Sequence, residues 1–432
     1  MFACNFLSRS ILLLGGMGLF SGVISGCGSG SVVEPPPLDT RAVCLPNNSR
    51  GGVRWTVLIY INAANNLQPD SLTNLAQMAS AGSDGNVNIV VQWKQANCND
   101  CGVPSFTGTR RYFIRQHNAT EVQQIRAGNT TALDSDRLAD PSTNRNGTSD
   151  MGDWRVLNDF VRWGSQNYPA DHLAVVVWNH GAGWRPTTRS RAVSQDNESG
   201  NEIQTEEIPT ALSTHSQPID ALIFDASLMQ MLEVAYEVRN TAKIMVGSEE
   251  SPPGAGYPYD QWLSALKSSG KNPCDVGSKI VDNFLATYPN NSNITQSVID
   301  LTKMDNVATK LNDFANALRN NLTSQAAVIS NARSNVQRYD YPDNKDLIHF
   351  AQLISRNTTN TSVRVAADAL IDSLNNPTNG AIIVGKHGLF GQANSNGLAV
   401  YIPNPDSYLF SYDNLALSRI TFWDDFLKSQ PQ

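Results

Sequence analysis

Two short runs of almost uninterrupted apolar residues, LAVVVW at 173–178 and ALIF at 221–224, constrain this chain more than anything else in it, and strand-like runs also stand at 56–62 (TVLIYIN) and 87–93 (VNIVVQW). Strands apolar on both faces must be covered on both faces, which places them inside a sheet sandwiched by helices. The stretches between them show the helical period that supplies the covering. Helices are predicted over 72–81, 154–166, 205–213 and 228–238, the last with Met229, Leu232, Ala235 and Val238 along one face. Two further strands are predicted at 111–115 and 243–247. Strand and helix in alternation predict an α/β fold built on a mostly parallel sheet flanked by helices.

Beyond residue 259 the period is mainly helical, with helices predicted over 260–268, 276–287, 303–320, 346–355 and 363–374, and strands at 296–301, 381–385 and 397–402. No Gly/Pro-rich linker separates this part from the rest. The folded body therefore reads as a core over 53–265 and a helical C-terminal subdomain over 266–432 of the same unit.

The first residues follow another rule. Arg9 precedes the apolar stretch ILLLGGMGLF at 11–20, too short to cross a bilayer as a mature helix, which predicts a secretory signal. VISGC at 23–27 resembles the bacterial lipobox, whose cysteine is lipidated and becomes the mature N-terminus. Residues 1–27 are then a lipoprotein signal peptide and Cys27 its lipidation site, and the expected location is the bacterial cell envelope, held to the membrane by that lipid. Residues 28–52, rich in Gly, Ser and Pro, suit a flexible tether. Export invites disulfides among Cys44, Cys98, Cys101 and Cys274, with the pairing left open. Cys98 and Cys101 lie between two strand-like runs without a following helix or a second Cys/His pair, so loop closure is favoured over a redox or zinc site. A net charge of −7, from 32 basic and 39 acidic residues with no basic run, argues against nucleic acid as a partner.

In parallel sheets ligands bind beyond the carboxyl ends of the strands. LAVVVW is followed by Asn179-His180-Gly181-Ala182-Gly183-Trp184, and ALIF by Asp225-Ala226-Ser227. An imidazole and a hydroxyl on neighbouring strand ends are the parts of a base and nucleophile pair, and the glycines permit close approach of a substrate and of a backbone N–H to an oxyanion. Ser227 is expected to open a helix, with its hydroxyl at the helix N-terminus.

WTVLIYINAANNL, YPADHLAVVVWNHGAGW, DALIFDASLMQMLEVAYEVR and VGSEESPPGAGYPY, with DLIHFAQLI and GLAVYIPNP further on, resemble the clostripain family of cysteine peptidases, relatives of caspases and gingipains. The resemblance implies a caspase-like sheet. It also implies that His180 is the base, that Gly181 is an oxyanion donor, and that Asp225 is the floor of a pocket for Arg or Lys in a peptide or protein substrate. Ser227 stands at the nucleophile position, where the family has cysteine. Two positions often acidic in the family are here Ala64 and Asn179. A serine hydroxyl needs an oriented base more than a thiol does, and serine enzymes usually orient that base with an acid, for which the sequence offers no candidate. Two readings follow: an endopeptidase cutting after Arg or Lys with a slow nucleophile, or a catalytically dead pseudopeptidase that binds at the cell surface. An unrelated serine hydrolase is disfavoured, because no Gly-x-Ser-x-Gly elbow surrounds Ser227. Arg185, Arg189 and Arg191 lie where relatives can be cleaved in maturation, but read here as a solvated loop. No cofactor is expected from the residues; family enzymes can depend on calcium, although no EF-hand-like acidic loop is visible.

Overall fold

The computed structural model describes residues 42–44, 54–141, 149–185, 192–213, 217–388 and 391–430. The predicted signal with Cys27, nearly all of the tether, and Arg189 and Arg191 lie outside the described residues. Its strands are β1 (Trp55–Asn62), β2 (Val87–Gln95), β3 (Gly108–Phe113), β4 (His172–Trp178), β5 (Ala192–Asp196), β6 (Asn201–Gln204), β7 (Ile219–Asp225), β8 (Ala242–Gly247), β9 (Thr295–Asp300), β10 (Asn344–Asp346), β11 (Ile382–His387) and β12 (Ala399–Tyr401). Eight of them form one sheet in the order β11-β9-β8-β7-β4-β1-β2-β3. The five central strands β2, β1, β4, β7 and β8 run parallel, and β3, β9 and β11 extend the sheet antiparallel at its two sides.

The double-sided apolar runs do what their composition demands. Along β1, Val57, Ile59 and Ile61 enter one core, with Trp262, Val276 and Phe284 from the helices Tyr259–Ser269 and Pro273–Thr287. Leu58 and Tyr60 enter the other core on the opposite face, which includes Phe160, Leu311 and Phe350 from the helices Trp154–Asn167, Met304–Arg319 and Leu347–Asn357. β4 alternates likewise, with Val176 on the first face and Val175 and Val177 on the second. Each fully buried side chain of this size contributes about 1.5–3 kcal/mol. A charge at Val176 is therefore expected to break the sheet at its centre.

The sequence places the central strands to within one or two residues, and the differences from expectation have local causes. The strand expected at 111–115 lies at Gly108–Phe113, because its ends are set by antiparallel pairing with β2, from Gln95↔Gly108 to Val90↔Phe113. The stretch expected as a helix over 205–213 is a 3-10 turn, Thr205–Glu207, and one helical turn, Ile208–Ala211. The C-terminal region is mainly helical, yet β9 and β11 belong to the main sheet and the helix Tyr259–Ser269 runs across residue 265. Residues Asp39–Gln432 cluster as one compact unit. Two disulfides close loops, Cys44–Cys274 across the chain and Cys98–Cys101 within the turn leading to β3. Among the described residues no helix is long and apolar enough to cross a membrane.

Candidate active site

The parallel register of β4 and β7 brings the predicted pair together. Trp178 lies opposite Asp225, and the Asn179 N–H still donates to the Asp225 carbonyl at 3.2 Å. His180 and Ser227 each stand two residues beyond that last pair, on neighbouring strands running the same way. Both line a polar cleft of about 730 Å³ together with Asn66, Asp100, Gly181, Gln195, Asn197, Ser251, Asp340 and Tyr341. Gly181 permits the approach: a β-carbon added there would lie 2.3 Å from the Ser227 carbonyl oxygen and 3.1 Å from the Ala226 β-carbon.

The expected helix start at Ser227 is not observed. Leu228 has φ 62°, a left-handed conformation that costs an L-residue about 1–2 kcal/mol and cannot continue a helix. The helix begins only at Leu232 and covers Leu232–Val238, so Ser227 lies five residues before it and does not open it. Cross-links hold the intervening loop instead. Leu228 N–H donates to the Glu250 carbonyl at 3.3 Å and Gln230 N–H to the Ser248 carbonyl at 3.1 Å. The buried Gln230 amide reaches Ser297 Oγ at 2.8 Å, and Ala399 N–H donates to the Gln230 carbonyl at 3.0 Å. Residues just beyond β8, within β9 and at the start of β12 thus hold the loop that carries Ser227.

Asn179 is buried and fully used. Its amide donates to the carbonyls of Asn62 and, at 3.2 Å, Gln195, and its Oδ1 accepts the Gln195 N–H at 2.9 Å. A carboxylate could not make the two donations, so the amide at this position ties β1, β4 and β5 together at the mouth of the site. His180 is half-buried, and desolvation pushes its pKa below the ordinary value, which favours the neutral ring. Its Nε2 lies 2.7 Å from Asn66 Oδ1. Asn66 belongs to the loop after β1, and its place in a polar loop at a strand end is its only mark in the sequence. The Ser227 hydroxyl makes no hydrogen bond among the described residues.

A second, narrower cavity of about 180 Å³ opens from the same pair and is lined by Leu67, Trp178, Asn179, Asp225, Pro252, Pro253, Gly254 and Gly256 besides His180 and Ser227. Asp225 accepts hydrogen bonds from the Tyr259 hydroxyl at 2.8 Å and the Tyr257 N–H at 3.3 Å. Burial pushes its pKa up to about 6 against those two bonds. No ion pair to Asp225 is present among the described residues. Gly256, at φ 64°, closes over it so tightly that a β-carbon would lie 2.7 Å from both carboxylate oxygens. Walls of indole and proline with one unneutralised carboxylate match a long side chain ending in a cation.

The C-terminal region completes the cleft. Ser251 Oγ donates to Asp340 at 3.0 Å and Asp340 N–H to Glu250 at 3.1 Å, which fastens the Asp340–Tyr341 wall to the loop after β8. Arg185 pairs with Asp343 at 3.3 Å beside Tyr341, so it is held against the cleft wall rather than solvated. Among the described residues no group of three or more His, Cys, Asp or Glu side chains is placed to hold a metal ion.

Comparison with known proteins agrees with this architecture. A clostripain from Hathewaya histolytica is 26% identical over 248 residues, covering 54% of this chain; the match spans 46% of that relative, about half its length. Two solved structures share the fold at 19% identity. One is a secreted C11 cysteine protease from Bacteroides thetaiotaomicron with an irreversible peptide inhibitor, at TM-score 0.59 over 87% of this chain and 99% of that one. The other is an inactive zymogen C11 protease from Parabacteroides distasonis, at TM-score 0.58 over 86% of this chain and 99% of that one. The family model described as Clostripain family matches residues 59–429, and the chain belongs to that family of peptidases.

Proposed function

We propose that this protein is an exported, lipid-anchored member of its peptidase family whose cleft takes peptides through an Arg or Lys side chain and turns them over slowly, with His180 as base and Ser227 in the nucleophile position. The observation that carries the substrate class is Asp225: a buried carboxylate that has no cation partner among the described residues and lines the same cavity as His180 and Ser227. A guanidinium or ammonium entering that cavity restores the countercharge that burial withholds. Export and anchoring rest on the signal-like stretch before Cys27 and fit the two disulfides.

In the reaction, His180 takes the Ser227 hydroxyl proton as Oγ attacks the backbone carbonyl carbon of the basic residue. The Gly181 N–H faces the developing oxyanion, His180 returns the proton to the leaving amine, and water then hydrolyses the acyl group. Slow turnover follows from the chemistry of position 227. The hydroxyl is not hydrogen-bonded to His180, no carboxylate raises the basicity of the imidazole, and burial lowers it. The test is hydrolysis of Arg- and Lys-ending fluorogenic peptides by the protein and by Ser227→Cys. The Cys variant is expected to be faster by at least tenfold, since a thiol is partly ionised near neutral pH. A Ser227→Cys variant as inert as Ser227→Ala would favour the binding-only reading, and a fast unmodified protein would contradict the argument from the hydroxyl.

A further inference from the structure

We propose that Asn66 is a positioning residue for His180, fixing the imidazole tautomer with the proton on Nε2 and leaving the Nδ1 lone pair to take the proton from the side chain at position 227. The inference rests on the reading of His180 as the base, and it supplies the third member that the sequence lacks. Asn66 Oδ1 can only accept a hydrogen bond, so at 2.7 Å the His180 Nε2 must carry the hydrogen. A neutral imidazole has one N–H, and burial favours the neutral ring here, so Nδ1 is left as the proton acceptor.

The loop that carries Asn66 is held on both sides. Asn62 Oδ1 accepts the Ala64 N–H at 3.3 Å, and the Asn197 N–H donates to the Ala64 carbonyl at 2.8 Å. The buried Asn65 donates to the Gln195 carbonyl at 2.9 Å and accepts the Leu67 N–H at 2.9 Å, while Gln68 N–H donates to the Asn65 carbonyl at 3.1 Å. Of two adjacent asparagines, Asn65 builds the loop, and the exposed Asn66 spends its side chain on the cleft histidine.

An amide orients without adding charge. It fixes the tautomer as the acid of a serine triad does, but it does not stabilise the imidazolium electrostatically. The other titratable groups that line the same cavities as the ring are Asp225, Asp100, Asp340 and Tyr341. The lowered pKa of His180 comes from burial rather than from these charges.

Thiol alkylation tests the inference without requiring peptide turnover. In full-length Ser227→Cys, the rate at which iodoacetamide labels the introduced thiol reports its thiolate fraction, and peptide mass mapping separates that site from the other cysteines. Adding Asn66→Ala is expected to slow labelling at pH 7 by about two- to tenfold, the net worth of one hydrogen bond to an uncharged acceptor. Adding the near-isosteric Asn66→Asp is expected to restore labelling and to extend it to lower pH, because a carboxylate favours the imidazolium that partners the thiolate. Unchanged rate and pH profile in both Asn66 variants, with His180→Ala still abolishing the fast labelling, would overturn the role of Asn66 alone. An unchanged profile in His180→Ala would overturn the base assignment and this inference with it. Far-UV circular dichroism checks that the exposed substitutions leave the fold intact.

Discussion

Replacing Asp225 by Asn is expected to stabilise the unliganded protein while removing its affinity for basic side chains. Burial lifts the folded-state pKa from 3.8 to about 6. A carboxyl with a raised folded pKa binds its proton more tightly in the native state. Its contribution to stability is therefore greatest below about pH 3.8, falls as pH rises through the window to about 6, and stays low above it. A shift of roughly two units corresponds to about 3 kcal/mol held against the fold at neutral pH. Asparagine removes that penalty and can still accept from the Tyr259 hydroxyl, now 2.8 Å from Oδ2; the charge assistance of that bond is already contained in the net shift. The net expectation is an Asn variant more stable by about 3 kcal/mol at pH 8 and by nearly nothing at pH 4. Urea unfolding at both pH values, followed by tryptophan fluorescence, measures the difference; the other buried acids, Glu233, Glu249 and Asp346 among them, are common to both proteins and cancel. An Asn variant less stable at pH 8, or a difference that does not change with pH, would refute the account of Asp225 as an unneutralised buried charge.

Two further expectations follow from close contacts and cross-links. Gly181→Ala sets a methyl 2.3 Å from the Ser227 carbonyl oxygen, so the two strand-end loops must separate. In the Ser227→Cys background this should lower peptide hydrolysis at least tenfold, at a stability cost of about 1–3 kcal/mol, read from rates and urea midpoints on the same preparation. Removing the Cys44–Cys274 bridge by paired alanines releases a loop closed over a sequence separation of 230 residues. Loop entropy predicts a loss of about 5 kcal/mol in the urea experiment, and a loss under 1 kcal/mol would mean that the denatured chain is already compact there.

How much of this site could be read from the sequence depends on the range of the interaction that fixes each part. The strands β1, β4, β7 and β8 were legible because burial on both faces leaves a local mark, a run of apolar residues. Two such runs paired in parallel turn equal offsets into neighbours, which is why His180 and Ser227 meet. The partners of Asp225 and His180 left no comparable mark. Tyr259 reaches Asp225 across 34 residues and Asn66 reaches His180 across 114, each through a loop whose shape is set by other loops. The helical period from Met229 onward was read correctly as apolar but one turn too early, because the left-handed Leu228 is imposed by bonds to Glu250 and Ser248 rather than by its own type. The elements that carry the site are therefore specified locally, while the orientation of its reactive groups is specified by long-range hydrogen bonds. A substitution at position 227 can accordingly leave the fold and the cavity over Asp225 in place, because among the described residues no hydrogen bond that holds the loop passes through the Ser227 side chain.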